Sequence, residues 1–207
     1  MNKLTVSDFQ KMIAAAASDI EARGEEFSKM DAALGDGDHG EAIVTAMKVI
    51  VEESKKGGSF KVLLGDMGFG VMMQTSGSTS SLLGGLLLGM SDGVPADVEE
   101  LTFADVQSMF TSGLAGVQKN TKAQIGDKTM MDSLQPAVET LAADASGDIA
   151  VAMKAASEAA LAGAASTCDM IAKFGRARNF GEKCIGHVDA GATSWAQMFV
   201  SFAQTIE

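Results

Sequence analysis

The chain has 207 residues, a formal net charge of −11 and 46% hydrophobic residues, and these values exclude several classes of protein. Nucleic-acid binding is disfavoured, because phosphate backbones are bound by clustered Lys and Arg and base stacking needs more aromatics than the 5% present. No apolar run is long enough to span a membrane, and the N-terminus lacks the apolar region of a signal peptide. With two cysteines, no disulfide framework is expected, and we predict a cytoplasmic protein.

Helical periodicity dominates, and we predict one all-α domain over residues 1–207, built from eight helices. The first runs from a capping box at Ser7 to about residue 30, the second from residue 39 to 57, and the third from its Ser59 cap to residue 73. The next two cover residues 78–90 and a segment that starts at Thr102. The sixth helix follows Thr129 and is bent or interrupted at Pro136. The seventh covers residues 148–172, and the eighth covers residues 192–205. No segment alternates cleanly as a strand does.

The most informative segment is Asp31-Ala-Ala-Leu-Gly-Asp-Gly-Asp-His-Gly40, which holds three carboxylates within eight residues. Carboxylates that are packed together require a cation among them, and Mg²⁺ with oxygen ligands leaves positions for water and substrate phosphates. A solvated Asp/Gly turn is the alternative, because both residue types favour turns. An EF-hand is excluded, because a loop that starts at Asp36 has Gly40 at its fifth position and Met47 at its twelfth.

Three Gly-rich interruptions, at residues 74–81, 126–132 and 175–191, place backbone N–H groups near predicted helix N-termini, where anions are favoured. The second, with Lys128 and Thr129, lacks the spacing of a Walker loop. Lys128 contacts a partner or caps a helix, and the sequence does not decide between them. Cys184 and His187 have metal-ligand spacing, but no nearby residues complete a tetrahedral set, so a structural role is favoured.

Together these segments resemble the L subunit, the nucleotide-binding subunit, of bacterial dihydroxyacetone kinases. The similarity rests on four motifs in order: Asp31 with Gly35–Gly40, Gly126–Met130 with Asp132 and Pro136, Gly175–Ala177, and Gly181–Thr193. It implies an eight-helix up-and-down barrel, in agreement with the predicted helix count. Residues 76–84 lack a glycine and the proline of the family pattern, Glu41-Ala42 replaces its usual Asn, and Ala190 replaces its usual Pro.

The resemblance also implies the site residues and cofactors. Two Mg²⁺ ions would be held by Asp31, Asp36 and Asp38 and would bridge the phosphates of a bound ADP or ATP. The implied nucleotide contacts are His39, Gly40, Glu41, Ala42, Ser78, Thr79, Thr121, Met130, Arg176, Asp189, Ala190 and Gly191. For Arg176 the alternative is an ion pair with an acidic neighbour, and for His39 it is a structural hydrogen bond at a helix start.

The same resemblance implies the partners. The L subunit docks on a K-type subunit whose own His holds a short-chain sugar covalently, and a phosphotransferase-system protein rephosphorylates its ADP. We therefore expect a Mg²⁺–adenine-nucleotide subunit of a dihydroxyacetone-type kinase that is inactive alone and contacts neither nucleic acid nor membrane. Three alternatives remain: a four-carbon sugar substrate, an ADP-carrying module that acts on a regulator, and a helical scaffold with an incidental acidic loop.

Overall fold

A computed structural model of the chain describes residues 1–206, and helices dominate it. In this part of the chain there are nine α-helices: α1 (Val6–Ala22), α2 (Gly24–Ala32), α3 (His39–Ser54), α4 (Phe60–Gln74), α5 (Ser78–Asp92), α6 (Phe103–Asn120), α7 (Met131–Ala143), α8 (Ile149–Ser166) and α9 (Ala190–Thr205). Two 3₁₀ segments, Thr167–Asp169 and Ala177–Cys184, lie between α8 and α9. The all-α prediction is confirmed, and none of the described helices is long and apolar enough to cross a membrane.

The helices pack in chain order around an apolar core. From α3 to α9 each helix contacts the next, and α1 contacts both α3 and α9, so that the sequence of contacts closes on itself. The predicted inward residues of α3, namely Ile43, Met47 and Ile50, are buried in this core. Trp195 of α9 lies in the same core, with 2% of its surface exposed. The up-and-down direction of successive helices stays a prediction.

The predicted first helix is wrong in both its start and its continuity. Thr5, and not Ser7, caps α1, because its side chain accepts a hydrogen bond from the Asp8 N–H at 3.1 Å. The helix ends before Arg23, and α2 begins at Gly24. A Cβ at Gly24 would lie 3.0 Å from Val44, so the glycine at the start of α2 lets this helix pack closely on α3. Because apolar spacing continues across the break, the sequence pattern does not reveal it.

A two-stranded sheet was missed by the prediction. β1 (Lys3–Thr5) and β2 (Glu100–Thr102) pair antiparallel, with Leu4 opposite Leu101, and both leucines are fully buried. Each strand is three residues long, too short to show alternation. Both end at helix caps: Thr5 caps α1, and Thr102 forms the capping box of α6 at the predicted start.

The predicted end of the Ala-rich helix at residue 172 is also wrong, because α8 ends at Ser166. Pro136, in contrast, lies inside α7 without interrupting it. A proline at this position cannot donate to the Asp132 carbonyl one turn earlier. Gly163 of α8 packs on that carbonyl, where a Cβ would come within 1.8 Å of the oxygen. The proline and the glycine thus bring α7 and α8 close together.

Candidate nucleotide and metal site

The acidic loop, defined here as residues 31–38, connects the last turn of α2 to α3. One oxygen from each of Asp31, Asp36 and Asp38 lies within 4.8 Å of the others. Asp31 Oδ2 accepts a hydrogen bond from the Gly37 N–H at 2.9 Å, which folds the loop back on α2. Gly37 has φ +79°, a conformation that favours glycine. A set of three carboxylate oxygens fits a hard divalent cation such as Mg²⁺.

The charge in the acidic loop is only partly balanced by the protein. Arg176 Nη2 lies 2.8 Å from Asp36 Oδ2, and both side chains remain substantially exposed. Partial desolvation and the Asp36 carboxylate raise the pKa of Asp38, an effect that Arg176 opposes. One guanidinium therefore faces three carboxylates. In this structure Arg176 makes the ion pair with an acidic neighbour that was its alternative role.

The start of α3 is held against α2 and α9. A Cβ at Gly40 would lie 1.9 Å from the Gly24 carbonyl oxygen, so only glycine permits this approach of the two helices. His39 Nε2 lies 2.8 Å from Ser194 Oγ of α9, and burial lowers the pKa of the imidazole. The His39 side chain thus makes a structural hydrogen bond while it also lines the cavity described next.

A cavity of about 500 Å³ opens beside the acidic loop, a volume within the range of small-molecule sites. Most of the predicted site residues line it: Asp31, Asp38, His39, Ser78, Thr79, Thr121, Met130, Arg176, Asp189, Ala190 and Gly191. Asp36, Gly40 and Glu41 line a neighbouring groove on the α2 side, and Ala42 lines neither. Segments separated by more than 100 residues in the chain therefore meet around one cavity.

Two helix N-termini point functional groups toward this cavity. Gly77, with φ +95°, precedes α5, and the first two residues of that helix, Ser78 and Thr79, line the cavity. At the start of α9, Asp189 caps the helix by accepting the Ala192 N–H at 2.7 Å. Free N–H groups at the first turn of a helix favour anions such as phosphate, whereas the capped turn presents a carboxylate instead.

Several residues that line the cavity were not among the predicted contacts. They are Ser81, Leu82, Asn120, Ala123, Lys128, Thr129, Phe174, Gly175, Ala177 and Trp195. Lys128, Thr129, Gly175 and Ala177 belong to the quoted motifs, so those motifs carried a usable signal. Trp195 lies on the buried face of α9 and Asn120 at the exposed end of α6, and the residue spacing of neither helix indicates a cavity.

Lys128 resolves one alternative that the sequence left open. Its side chain is buried, and its ammonium donates hydrogen bonds to the backbone carbonyls of Thr167 and His187. Thr167 is the C-cap residue of α8, and its carbonyl also accepts the Met170 N–H at 3.2 Å, so Lys128 adds a second hydrogen bond at that helix end. Burial excludes a direct contact with a partner protein.

Cys184 is also buried, in a small cluster with Leu34 and Ala172, in agreement with a structural role.

Comparison with protein families agrees with these motifs. Residues 33–204 match the model of the DAK2 domain. The chain belongs to this family. It is 35% identical over 197 residues to the "PEP-dependent dihydroxyacetone kinase 2, ADP-binding subunit DhaL" of Listeria innocua, covering 87% of this chain and 86% of that protein. It is 34% identical over 176 residues to the corresponding Escherichia coli subunit, covering 82% of each chain. The resemblance to L subunits is therefore confirmed, and the relatives are subunits of kinases.

Among solved structures, the chain resembles the dihydroxyacetone kinase from C. freundii in complex with AMP-PNP and Mg²⁺, with a TM-score of 0.72 and 24% identity. The match covers 94% of this chain but only 33% of that longer chain. At this level of identity the likeness establishes the fold, which is that of one part of the larger kinase.

Proposed function

We propose that this chain is the nucleotide-binding subunit of a dihydroxyacetone-type kinase. In this proposal it binds one adenine nucleotide, ADP or ATP, through two Mg²⁺ ions held by Asp31, Asp36 and Asp38. The phosphates lie at the starts of α3 and α5, and the nucleoside lies against Thr121, Met130 and residues 189–191. The observation that carries the proposal is the meeting of the acidic loop, two helix N-termini and these segments at one cavity.

The charges of the site support a metal-bridged nucleotide over a free one. The chain has a net charge of −11, and the three carboxylates of the acidic loop would repel phosphate oxygens at short distance. A divalent cation between carboxylates and phosphates converts this repulsion into attraction. Arg176 is close enough to Asp36 to contribute a further positive charge beside the phosphates.

The chemistry proposed for the site is phosphoryl transfer. Bound Mg²⁺ neutralises charge on the phosphate oxygens in such reactions. The contribution of this chain's own residues is position: the acidic loop fixes the metal end, and the N–H groups at the start of α5 orient phosphate oxygens. No His or Ser in the chain is required as a nucleophile.

The acceptor and donor in this proposal lie on other proteins. Most of the predicted residues converge on this cavity, and no second set of residues predicted for a sugar is present in the sequence. We therefore propose that a short-chain ketose is held covalently on a separate K-type subunit, and that a phosphotransferase-system protein returns the nucleotide to its charged form. Docking beside the acidic loop would place the sugar next to the transferable phosphoryl group, as proximity requires.

Reconstitution tests the proposal. Purified chain with ATP and Mg²⁺ should not phosphorylate dihydroxyacetone, and activity should appear when a K-type subunit and its phosphoryl donor are added. Robust phosphorylation of dihydroxyacetone or of a four-carbon ketose by the chain alone would refute the division between subunits. Nucleotide binding without turnover in any reconstituted mixture would instead favour an ADP-carrying regulatory module.

A further inference from the structure

Lys128 is a buried cation that the proposed function does not use. Only 2% of its surface is exposed, although lysines are almost never fully buried without a charged or hydrogen-bonded partner. Its backbone has φ +59°, which is unfavourable for a residue with a Cβ. Its ammonium donates to the carbonyls of Thr167 and His187, and the side chain lines the cavity. Burial of the charge and a strained backbone therefore coincide at one residue of the cavity wall.

Asp189, at the start of α9, lies on the turn that this ammonium holds through the His187 carbonyl. Its backbone N–H donates to Thr167 Oγ1 at 2.9 Å, and its Oδ1 accepts the Ala192 N–H at 2.7 Å. Its other oxygen, Oδ2, makes no hydrogen bond within residues 1–206, although the residue lines the cavity. Lys128 donates hydrogen bonds to the carbonyl of His187, two residues before Asp189, and to the carbonyl of Thr167. It therefore holds both sides of the turn that carries this carboxylate.

The electrostatic surroundings of Asp189 agree with a dependence on Lys128. Burial raises its pKa to about 6, while the Ala192 N–H and the Lys128 ammonium oppose the increase. The carboxylates of Asp132 and Asp31 act in the same direction as burial. The Lys128 ammonium therefore favours the ionised form of the Asp189 carboxyl group, and its removal would leave burial and two like charges without this opposing cation.

We propose that Lys128 is a positioning residue for Asp189, and that the free Asp189 Oδ2 accepts a hydrogen bond from a ribose hydroxyl of the bound nucleotide. This inference rests on the proposed function, because it assigns one part of the nucleotide to one wall of the same cavity. A carboxylate repels phosphate oxygens and attracts hydroxyl donors, so the nucleoside, and not the phosphate chain, faces this turn. The acidic loop, where metal ions would neutralise charge, takes the phosphates.

Calorimetric titrations with ADP, 2′-deoxy-ADP and 3′-deoxy-ADP in Mg²⁺ test the inference. Wild-type protein should bind ADP about tenfold more tightly than at least one deoxy analogue, the factor expected for one charge-assisted hydrogen bond. Lys128→Met should weaken ADP binding by about tenfold and reduce this preference to near one, because Asp189 loses its orientation and charge. IDP lacks the adenine amino donor and serves as a control on the base. The ratio of its affinity to that of ADP should be the same for wild-type protein and for Lys128→Met.

Lys173→Met is the matched control. It removes the same charge from a neighbouring loop, where Lys173 pairs with Asp127, but it makes no contact with Asp189. This control should keep the preference for ADP over the deoxy analogue. Circular dichroism and thermal melting show whether each variant is folded. A Lys128→Met protein that melts like the wild type yet loses the ribose preference would separate positioning from a role in stability alone.

Asp189→Asn provides a second route if Lys128→Met does not fold. Its amide oxygen retains the capping acceptor for Ala192, while the charge at the free oxygen is lost. Asp189→Asn alone should reduce the preference for ADP over the deoxy analogue, whether or not Lys128→Met folds. Where Lys128→Met folds, the double variant should lose no more ADP affinity than the weaker-binding single variant, a non-additive result. Additive losses, or equal binding of ADP and both deoxy analogues by wild-type protein, would overturn the inference. Failure of wild-type protein to bind ADP with Mg²⁺ would instead contradict the proposed function.

Discussion

The two walls of the cavity are built in opposite ways. The acidic loop takes its three carboxylates from eight consecutive residues, and all three remain at least partly exposed. The loop wall, defined here as residues 121–130 and 187–191, takes its side chains from segments about 60 residues apart and holds them by buried hydrogen bonds. The acidic loop thus exposes its charged side chains to solvent, whereas the loop wall buries charged side chains such as Asp127 and Lys128.

This difference indicates which interactions maintain each wall. In the acidic loop, the Asp31 bond to Gly37 and the close contact of Gly40 with α2 set the backbone, and the carboxylates repel one another. In the loop wall, buried Asp132 accepts the N–H groups of Gly126 and Thr129 at 2.5 and 2.8 Å. Ligand binding should therefore stabilise the first wall strongly, while the second is formed before the ligand arrives.

The largest effect is expected from Asp38→Asn in the acidic loop. Replacing a charged ligand oxygen by a neutral one should weaken Mg²⁺–ADP binding by about 100-fold, corresponding to about 3 kcal/mol. The free energy of unfolding without metal should stay equal or rise, because repulsion with Asp36 is relieved. Calorimetry and chemical denaturation in EDTA measure the two quantities. Asp92→Asn, an exposed position at the end of α5, is the control, and unchanged affinity in Asp38→Asn would remove this residue from the metal site.

The arrangement of side chains in the acidic loop could largely be predicted from the sequence, whereas that of the loop wall could not. Asp31, Asp36 and Asp38 are close in the chain, so their spacing alone places their side chains together. Lys128 reaches the turn that carries Asp189 only through the packing of α8 and α9, which no local pattern encodes. The helices followed from apolar spacing and caps such as Ser59 and Thr102, whereas the break at Arg23 depends on contact between α2 and α3.

Chelation should produce the next largest effect. At ADP and Mg²⁺ concentrations about 100 times the dissociation constant, binding stabilises the folded state by about 2.7 kcal/mol. For a chain of this size, removal of Mg²⁺ should lower the melting temperature by roughly 5 to 10 °C. Differential scanning fluorimetry with ADP, before and after EDTA, measures the shift, and EDTA without nucleotide is the control. Retention of ADP in excess EDTA would contradict a metal-bridged site.

Gly40→Ala should show how far the acidic loop depends on backbone packing. Its Cβ would lie 1.9 Å from the Gly24 oxygen and 2.4 Å from Ser28 Oγ, so α2 and α3 must separate. We expect a loss of about 2 kcal/mol in the free energy of unfolding, measured by urea denaturation. Gly65→Ala is the control, because its nearest neighbour is 3.6 Å away and alanine favours a helix interior. Equal stability of Gly40→Ala and wild type would show that the contact is easily accommodated.

The smallest effect concerns the hydrogen bonds of the loop wall. Asp127 accepts Lys173 Nζ at 2.6 Å and the Gln124 N–H at 2.9 Å, and these bonds, led by Lys173, lower the pKa of Asp127. A carboxyl group whose folded pKa is lowered stabilises the protein above its unfolded pKa of about 4, and this contribution disappears as the pH falls through the folded value. Asp127→Asn should therefore lose about 1 kcal/mol at pH 7.

The difference between Asp127→Asn and wild type should shrink as the pH is lowered from about 4 towards 2, because the wild-type carboxyl group becomes neutral as well. Urea denaturation at a series of pH values measures it. Lys173→Met should reproduce the direction with a smaller size, since the lysine side chain is 64% exposed and its charge is screened by water. A difference that stays constant to pH 2 would assign the loss to altered packing. In that case packing, and not charged hydrogen bonds, would stabilise the loop wall. The two walls would then differ more than the hydrogen bonds of Asp127 indicate.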